Sequence, residues 1–461
     1  MRHALFIRAT TLLLLLTIVL WSAFSFIPQA HAATFTFTSC PTGTTLHNAV
    51  SSAAPGDTIQ FRISGSPCTI DLSGTGGGTL MIDKNLTFDA SGSPQSVTLS
   101  GGQSVQVLQV SSTFTLQNII IANGFAGFLG GGGILNFGTV TISNSAISNN
   151  SSSSGGGISN TSSGTVTISN STISNNSSSS GGGIFNGGTV TISDSTVSNN
   201  SASFGSGGGI FNAFSGTMTI SNSTISSNTG SSSGSDSDGG GIWNGGTVTI
   251  NNSTIANNSI NFGGGIFNAS SGKLTISQST VVNNSSASDG GGIYNGDSNT
   301  FTISQSTVAN NSSHSSLGTG GGGIWNGGPM TISNSTIANN SATSGGGGIV
   351  NNGTVTINST VTMSNSTVAN NSAPGGGILN VGGTVNIAQS IVANNRSSNC
   401  TGPITDRGYN LENVTGCTFT ASTDLQNTNP QFQGGLQNNG GPTQTIALQP
   451  TSPAVNHIPV N

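Results

Sequence analysis

The chain has 461 residues, a formal net charge of −5 and only 4% charged residues, against about 25% in ordinary soluble domains. So little positive charge excludes a nucleic-acid-binding surface, and the outer surface must be built from Ser, Thr, Asn and Gly. The same composition suits a disordered, low-complexity chain, but regularly placed Val and Ile supply a core that such chains lack.

The first element is not part of the fold. Arg2 and Arg8 form a basic start, Leu12 to Leu20 an apolar run, and Ala30-His31-Ala32 a cleavage site. Residues 1–32 therefore read as a secretory signal peptide, and the chain as secreted, either extracellular or held at the cell surface. Without them the twelve Asp/Glu face five Lys/Arg, a net charge of 5 − 12 = −7. No later segment is apolar enough to span a bilayer. The four cysteines are Cys40, Cys68, Cys400 and Cys417. In an exported chain they should pair; three connectivities exist, and proximity favours Cys40 with Cys68 and Cys400 with Cys417.

Residues 33–128 hold irregular rungs, such as Thr58 to Phe61, Leu86 to Phe88 and Phe114 to Leu116. Ahead of them, Thr44 to Ala54 places Leu46, Ala49 and Val50 on one side of a short amphipathic helix, suited to covering an exposed β edge.

Residues 129–395 repeat. Gly-Gly-Gly-Ile, then one variable residue, then Asn recurs ten times, with its Ile at positions from Ile134 to Ile378 and steps of 24 to 32 residues. Self-similarity at this period marks a solenoid. Within Gly181 to Asn200 three short extended segments alternate apolar with polar, and none has helical periodicity. The fold class is all-β: a single parallel β-helix with three short strands per coil, about ten regular coils and weaker N-terminal rungs. Parity points Val190 and Ile192 inward, with equivalents from Val140/Ile142 through Met330/Ile332 to Val355/Ile357. A further apolar column runs from Ile147 through Val197 to Val368. Asn136, Asn160, Asn186 and their successors share the parity of the inward Ile and are expected to form ladders between rungs. Length variation is confined to Ser-rich segments after the third strand, so the loops leave one corner. Residues 396–461 lose the repeat and gain proline, which suggests a C-terminal cap with little regular structure.

The Gly-Gly-Gly-Ile and Ser-Asn-Asn-Ser alternation resembles the repeats of polymorphic outer-membrane proteins. That resemblance covers about residues 120–395 and implies a right-handed β-helix of the pectate-lyase-like kind and a role in adhesion; no membrane barrel follows here. Thr45-Leu46-His47-Asn48-Ala49-Val50 and Asn438-Asn439-Gly440-Gly441-Pro442-Thr443 are similar to the flanks of secreted bacterial β-helix proteins with a choice-of-anchor-type C-terminal region. By that likeness, 396–461 is a cap or anchor-type region.

Three columns are candidates for function. The residue after the motif Ile is aromatic in six successive coils: Phe185, Phe211, Trp243, Phe267, Tyr294 and Trp325. Facing outward, this stripe would suit a glycan or a surface protein; the competing expectation is that the rings stack on one another and stiffen the sheet. A second stripe is Thr-x-Thr, as in Thr189/Thr191 and Thr354/Thr356, interrupted by Lys273, Pro329 and Asn386. It resembles ice-binding surfaces, but Thr is also a good exposed strand residue. Third, Asp236, Asp238 and Asp289 lie in the corner loops and form a weak calcium candidate. The sequence places no acid–base pair of the kind a glycoside hydrolase or lyase needs. The resulting expectation is a monomeric exported solenoid without cofactor, binding a glycan or surface and leaning away from catalysis. A β-helix polysaccharide lyase or hydrolase is the alternative, and ice binding the third reading.

Overall fold

A computed structural model describes residues 32–458 apart from 129, 204, 231–237, 298–299, 317–318 and 353–359. The leader read at 1–32 thus lies, except for Ala32, outside the described residues. The chain winds as a parallel β-solenoid in which each strand pairs with its equivalents one coil before and after. One coil runs through Ile184–Asn186, Thr189–Ser193, Thr196–Ser198 and Ser201–Ala202. These strands belong to four sheets, called here the Ile-Asn, Thr, short and Ser sheets, of 13, 15, 14 and 9 strands respectively.

Eight of the ten regular coils, from that of Ile134 to that of Ile324, add a fourth strand to the three expected. The fourth comes from the Ser-rich segments, as in Ser151–Ser154 and Ser177–Ser180. Its apolar alternation is too weak to read as a strand. Its backbone groups pair because the coils on either side hold the same segment at the same height. The inward residue there is small or unbranched in most coils: Ser152, Ser178, Ala202, Ser286, Ser313 and Ala342 are all buried.

The core is one continuous cluster from Leu46 to Phe419. The inward pair of the Thr sheet and the single inward residue of the short sheet are fully buried, as with Val190, Ile192 and Val197 at 0% exposure. Each such side chain stabilises by about 1.5–3 kcal/mol. One expected pair is corrected. Residues 353–359, with Val355 and Ile357, lie outside the described residues, and the strand in register with Pro329–Ser333 is Thr360–Ser364, whose Val361 and Met363 face Met330 and Ile332. Sequence spacing explains the choice. The step from the second inward residue of the Thr sheet to that of the short sheet is five residues in Ile192 to Val197 and Ile332 to Ile337. Met363 to Val368 keeps that step and Ile357 does not.

Corners are held by side-chain ladders. From Asn136 to Asn380, each Asn donates its Nδ2–H to the Oδ1 of the next coil's Asn at 2.7–3.0 Å. A second ladder, from Asn150 to Asn395, repeats this at 2.9–3.0 Å between the short and Ser sheets. In a third, the backbone N–H of each Ser from Ser145 to Ser366 donates to the Oγ of the next coil's Ser at 3.0–3.2 Å. Beside these ladders sit left-handed residues, such as Asn144, Asp194 and Asn252 with φ of 46–49°. Asn and Asp tolerate this conformation better than other side chains do.

The ends differ. At the start, Gly43–Ser52 is an α-helix capped by Thr42, with Leu46 and Val50 in the core, and Cys40 is bonded to Cys68. At the other end Cys400–Thr401, Thr405–Asp406 and Leu411–Glu412 extend three of the sheets, and Cys400 is bonded to Cys417. The tail is more ordered than expected. Phe432–Gln437 and Thr445–Leu448 form an antiparallel hairpin that lies against the flank of the short sheet, with Ile446 packed on Ala338 and Ala369.

Two outcomes follow from this packing. Asn244→Ala removes the acceptor of Asn212 and the donor to Asn268 and leaves the N–H of Gly246 unpaired. It should cost about 2–5 kcal/mol in denaturant unfolding, since each buried orphan costs about 1–3 kcal/mol, while Asn252→Ala at an exposed corner should cost only about 1–2 kcal/mol. At the C-terminal end burial pushes the Asp406 carboxyl up, but the N–H groups of Thr420, Gly408 and Ala421, with the Asp424 carboxyl, more than offset this and hold it at about 2. A lowered native pKa gives stability that is present above the unfolded value of 3.8 and is lost as pH falls toward about 2. Asp406→Asn should flatten that part of the acid-unfolding curve.

Candidate functional site

The six aromatics lie in register on the Ile-Asn sheet: Phe185 beside Phe211, Phe211 beside Trp243, and Phe267 beside Tyr294, itself beside Trp325. They stand outside the core cluster, as parity requires. Most of their ring faces are turned on one another. Phe185, Phe211 and Trp243 stack with centroids 5.2 and 4.2 Å apart and interplanar angles of 5° and 3°. Phe267, Tyr294 and Trp325 form a second triplet at 4.7 and 4.2 Å, with angles of 6° and 4°. Strand spacing of about 4.8 Å sets these distances, so each inner ring has both faces covered by its neighbours. Trp243 and Trp325 are only 9% and 6% exposed. Phe214 and Phe262 add edge-on contacts to Trp243 and Tyr294.

Glycine admits the indoles. A Cβ on Gly245 would lie 2.7 Å from the Trp243 ring, and one on Gly327 would lie 3.0 Å from the Trp325 ring. The same position holds Ala213 and Ala269 beside the smaller Phe211 and Phe267.

The acids gather at the neighbouring corner. Asp238 and Asp289 precede the glycines of their coils, and Phe262 stands at the same position in the coil between them. Asp236 lies outside the described residues. Burial pushes the Tyr294 hydroxyl well above its usual range, and the charges of Asp297, Asp289 and Asp238 push it further. Burial also raises the Asp289 carboxyl, partly offset by hydrogen bonds with Ser315 and Thr319. Its Oδ1, like the Trp325 Nε1, is buried without a hydrogen-bond partner. Among the described residues no three His, Cys, Asp or Glu side chains come together as a metal site.

The outer face of the Thr sheet has a different character. Thirteen threonines, from Thr34 through Thr58, Thr87 and Thr115 to Thr362, pair neighbour to neighbour in a single unbroken file. Every one of them is exposed or half-buried. The interruptions seen in the sequence fall elsewhere: Lys273 and Pro329 occupy the flanking column beside Thr275 and Thr331, and Asn386 follows Thr362 at the end of the file. From Thr113 to Ala388 the only charge in the outward positions of these strands is Lys273. Thr354 and Thr356 lie outside the described residues, and Thr360 and Thr362 take their expected place. The repeat does not reveal this continuity, because the file begins in the irregular N-terminal rungs.

The fold and these faces define a parallel β-solenoid. Residues 84–247 match the family model for the right handed beta helix region. No curated protein matches the chain by sequence. A solved structure titled "Crystal structure of pectate lyase Pel9A" is similar over 86% of this chain and 82% of that one, at 12% identity and a TM-score of 0.31; a likeness of that size carries no catalytic residue across. No described helix is long and apolar enough to cross a membrane.

Gly245→Ala should displace the Trp243 indole and lower stability by about 1–3 kcal/mol, the usual cost of overpacking, with a red-shifted tryptophan emission. Gly187→Ala, where the nearest atom to a Cβ is 3.3 Å away, should change both much less.

Proposed function

We propose that this chain is an exported, non-catalytic β-solenoid that works by contact, attaching to a glycan or another neutral surface through the outer face of the Thr sheet. The observation that carries this reading is the unbroken, solvent-facing and almost uncharged threonine file. The leader read at 1–32 and the two disulfides support export. The aromatic file, the first candidate from sequence, is better suited to stiffening the rod, because most of its ring faces are turned on one another. One hydroxyl contact in water contributes only about 0.5–1.5 kcal/mol. Many of them, fixed on a rigid sheet, add without the ordering cost that flexible side chains incur on binding.

Retention on insoluble cellulose, chitin, peptidoglycan and ice tests the reading. The wild-type chain should be retained on at least one. Thr191→Tyr with Thr219→Tyr should weaken retention about tenfold, a loss of about 1.4 kcal/mol, and Thr224→Tyr on the short sheet should leave it unchanged. Retention that ignores the Thr191/Thr219 pair, or release of unsaturated sugars from a polysaccharide with calcium, would overturn it.

A further inference from the structure

We infer that the lattice this face fits is ice; the inference rests on the contact-face reading above. Outward side chains on the Thr sheet stand at two fixed spacings. Neighbouring coils are about 4.8 Å apart, and residues i and i+2 of a strand are about 6.7 Å apart. Both are close to oxygen repeats in hexagonal ice, and the two directions are nearly perpendicular. Charge points the same way. From Thr113 to Ala388 Lys273 is the only charge in the outward positions, and in the N-terminal rungs Asp89 is paired with Arg62, so the face offers little counter-charge for a polyanion or polycation, whereas a water lattice needs none.

The side chain itself discriminates. A file selected only to hydrogen-bond would be served by serine, which occupies the adjoining column at Ser143, Ser169, Ser193 and Ser221. The central file is threonine without exception over thirteen coils, so a methyl stands beside every hydroxyl. Hydroxyls can join lattice waters while methyls sit in the recesses between them. Sugar rings are instead gripped by aromatic faces, and the outward positions from Thr113 to Ala388 carry none. Area is sufficient. Thirteen coils of strands about 15 Å long give roughly 900 Å², similar to the roughly 800 Å² each partner contributes to a stable interface. The corner ladders keep this array rigid, which a match to a crystal demands.

The test is partition of the fluorescently labelled chain into slowly growing ice, alongside inhibition of ice recrystallisation. The wild-type chain should enter the ice and hold grains small. Thr191→Tyr with Thr219→Tyr should lower partition about tenfold, and Thr224→Tyr should not, with circular dichroism unchanged in all three. Should the tyrosine pair disturb folding, Thr191→Ser with Thr219→Ser keeps both hydroxyls and removes two methyls; it should still lower partition several-fold. Exclusion of the wild-type chain from ice, or no effect of the serine pair, overturns the inference. Exclusion from ice with retention on a polysaccharide overturns ice alone, and absence of both overturns the contact face as well.

Discussion

At three corners of each regular coil the turning backbone is completed by a side chain from the adjacent coil, and at the glycine corner by backbone pairs such as the Gly183 N–H on the Gly209 carbonyl. The Asn136 amide meets Asn160, which meets Asn186, while the N–H of Ser171 meets the Ser195 hydroxyl. This mutual satisfaction is the constraint on which the rest depends. A chain so rich in Gly, Ser and Asn loses much conformational entropy on ordering. Apolar burial offsets this only if every coil has the same cross-section, and the ladders impose that cross-section by demanding the same residue at the same height in each coil.

Uniform height then controls the outer faces. Wherever a column holds one residue type, the stack converts it into a straight file, and the consequence depends on chemistry. Large flat rings at strand spacing stack, so the Phe185–Trp243 and Phe267–Trp325 triplets turn their faces on one another even though they point out of the core. Small branched threonines at the same spacing cannot cover each other, and they remain an open array. One geometric rule thus stacks the rings of one file and leaves the hydroxyls and methyls of another side by side.

The C-terminal tail adds a local exception. On the short sheet the outward residue is Ser148, Ser174 and Ser198 in early coils but Ala309, Ala338 and Ala369 in late ones. The hairpin of Phe432–Gln437 and Thr445–Leu448 lies where the column turns apolar, with Ile446 on Ala338 and Ala369 and the Thr307 hydroxyl donating to the Gln444 carbonyl. The change from Ser to Ala was visible in the repeats, but it pointed to no partner until the tail was seen to fold back along the rod.

The sequence by itself determined the solenoid, the inward columns, the capping helix around Leu46 and Val50 and the Asn ladder through Asn136 to Asn380, because period and parity alone specify them. Tertiary structure decided what periodicity cannot express. Ser151–Ser154 becomes a strand only through neighbours that offer it partners. Val361 and Met363 fill the core in the coil after Met330 and Ile332, although the five-residue step to Val368 was there to be read. The Trp243 and Trp325 rings are withdrawn from solvent by contacts between coils, and Thr34 is joined to Thr362 by register across irregular rungs that share no repeat. In each case the deciding contacts join residues more than twenty positions apart, and only the choice of Val361 and Met363 left a mark in local spacing.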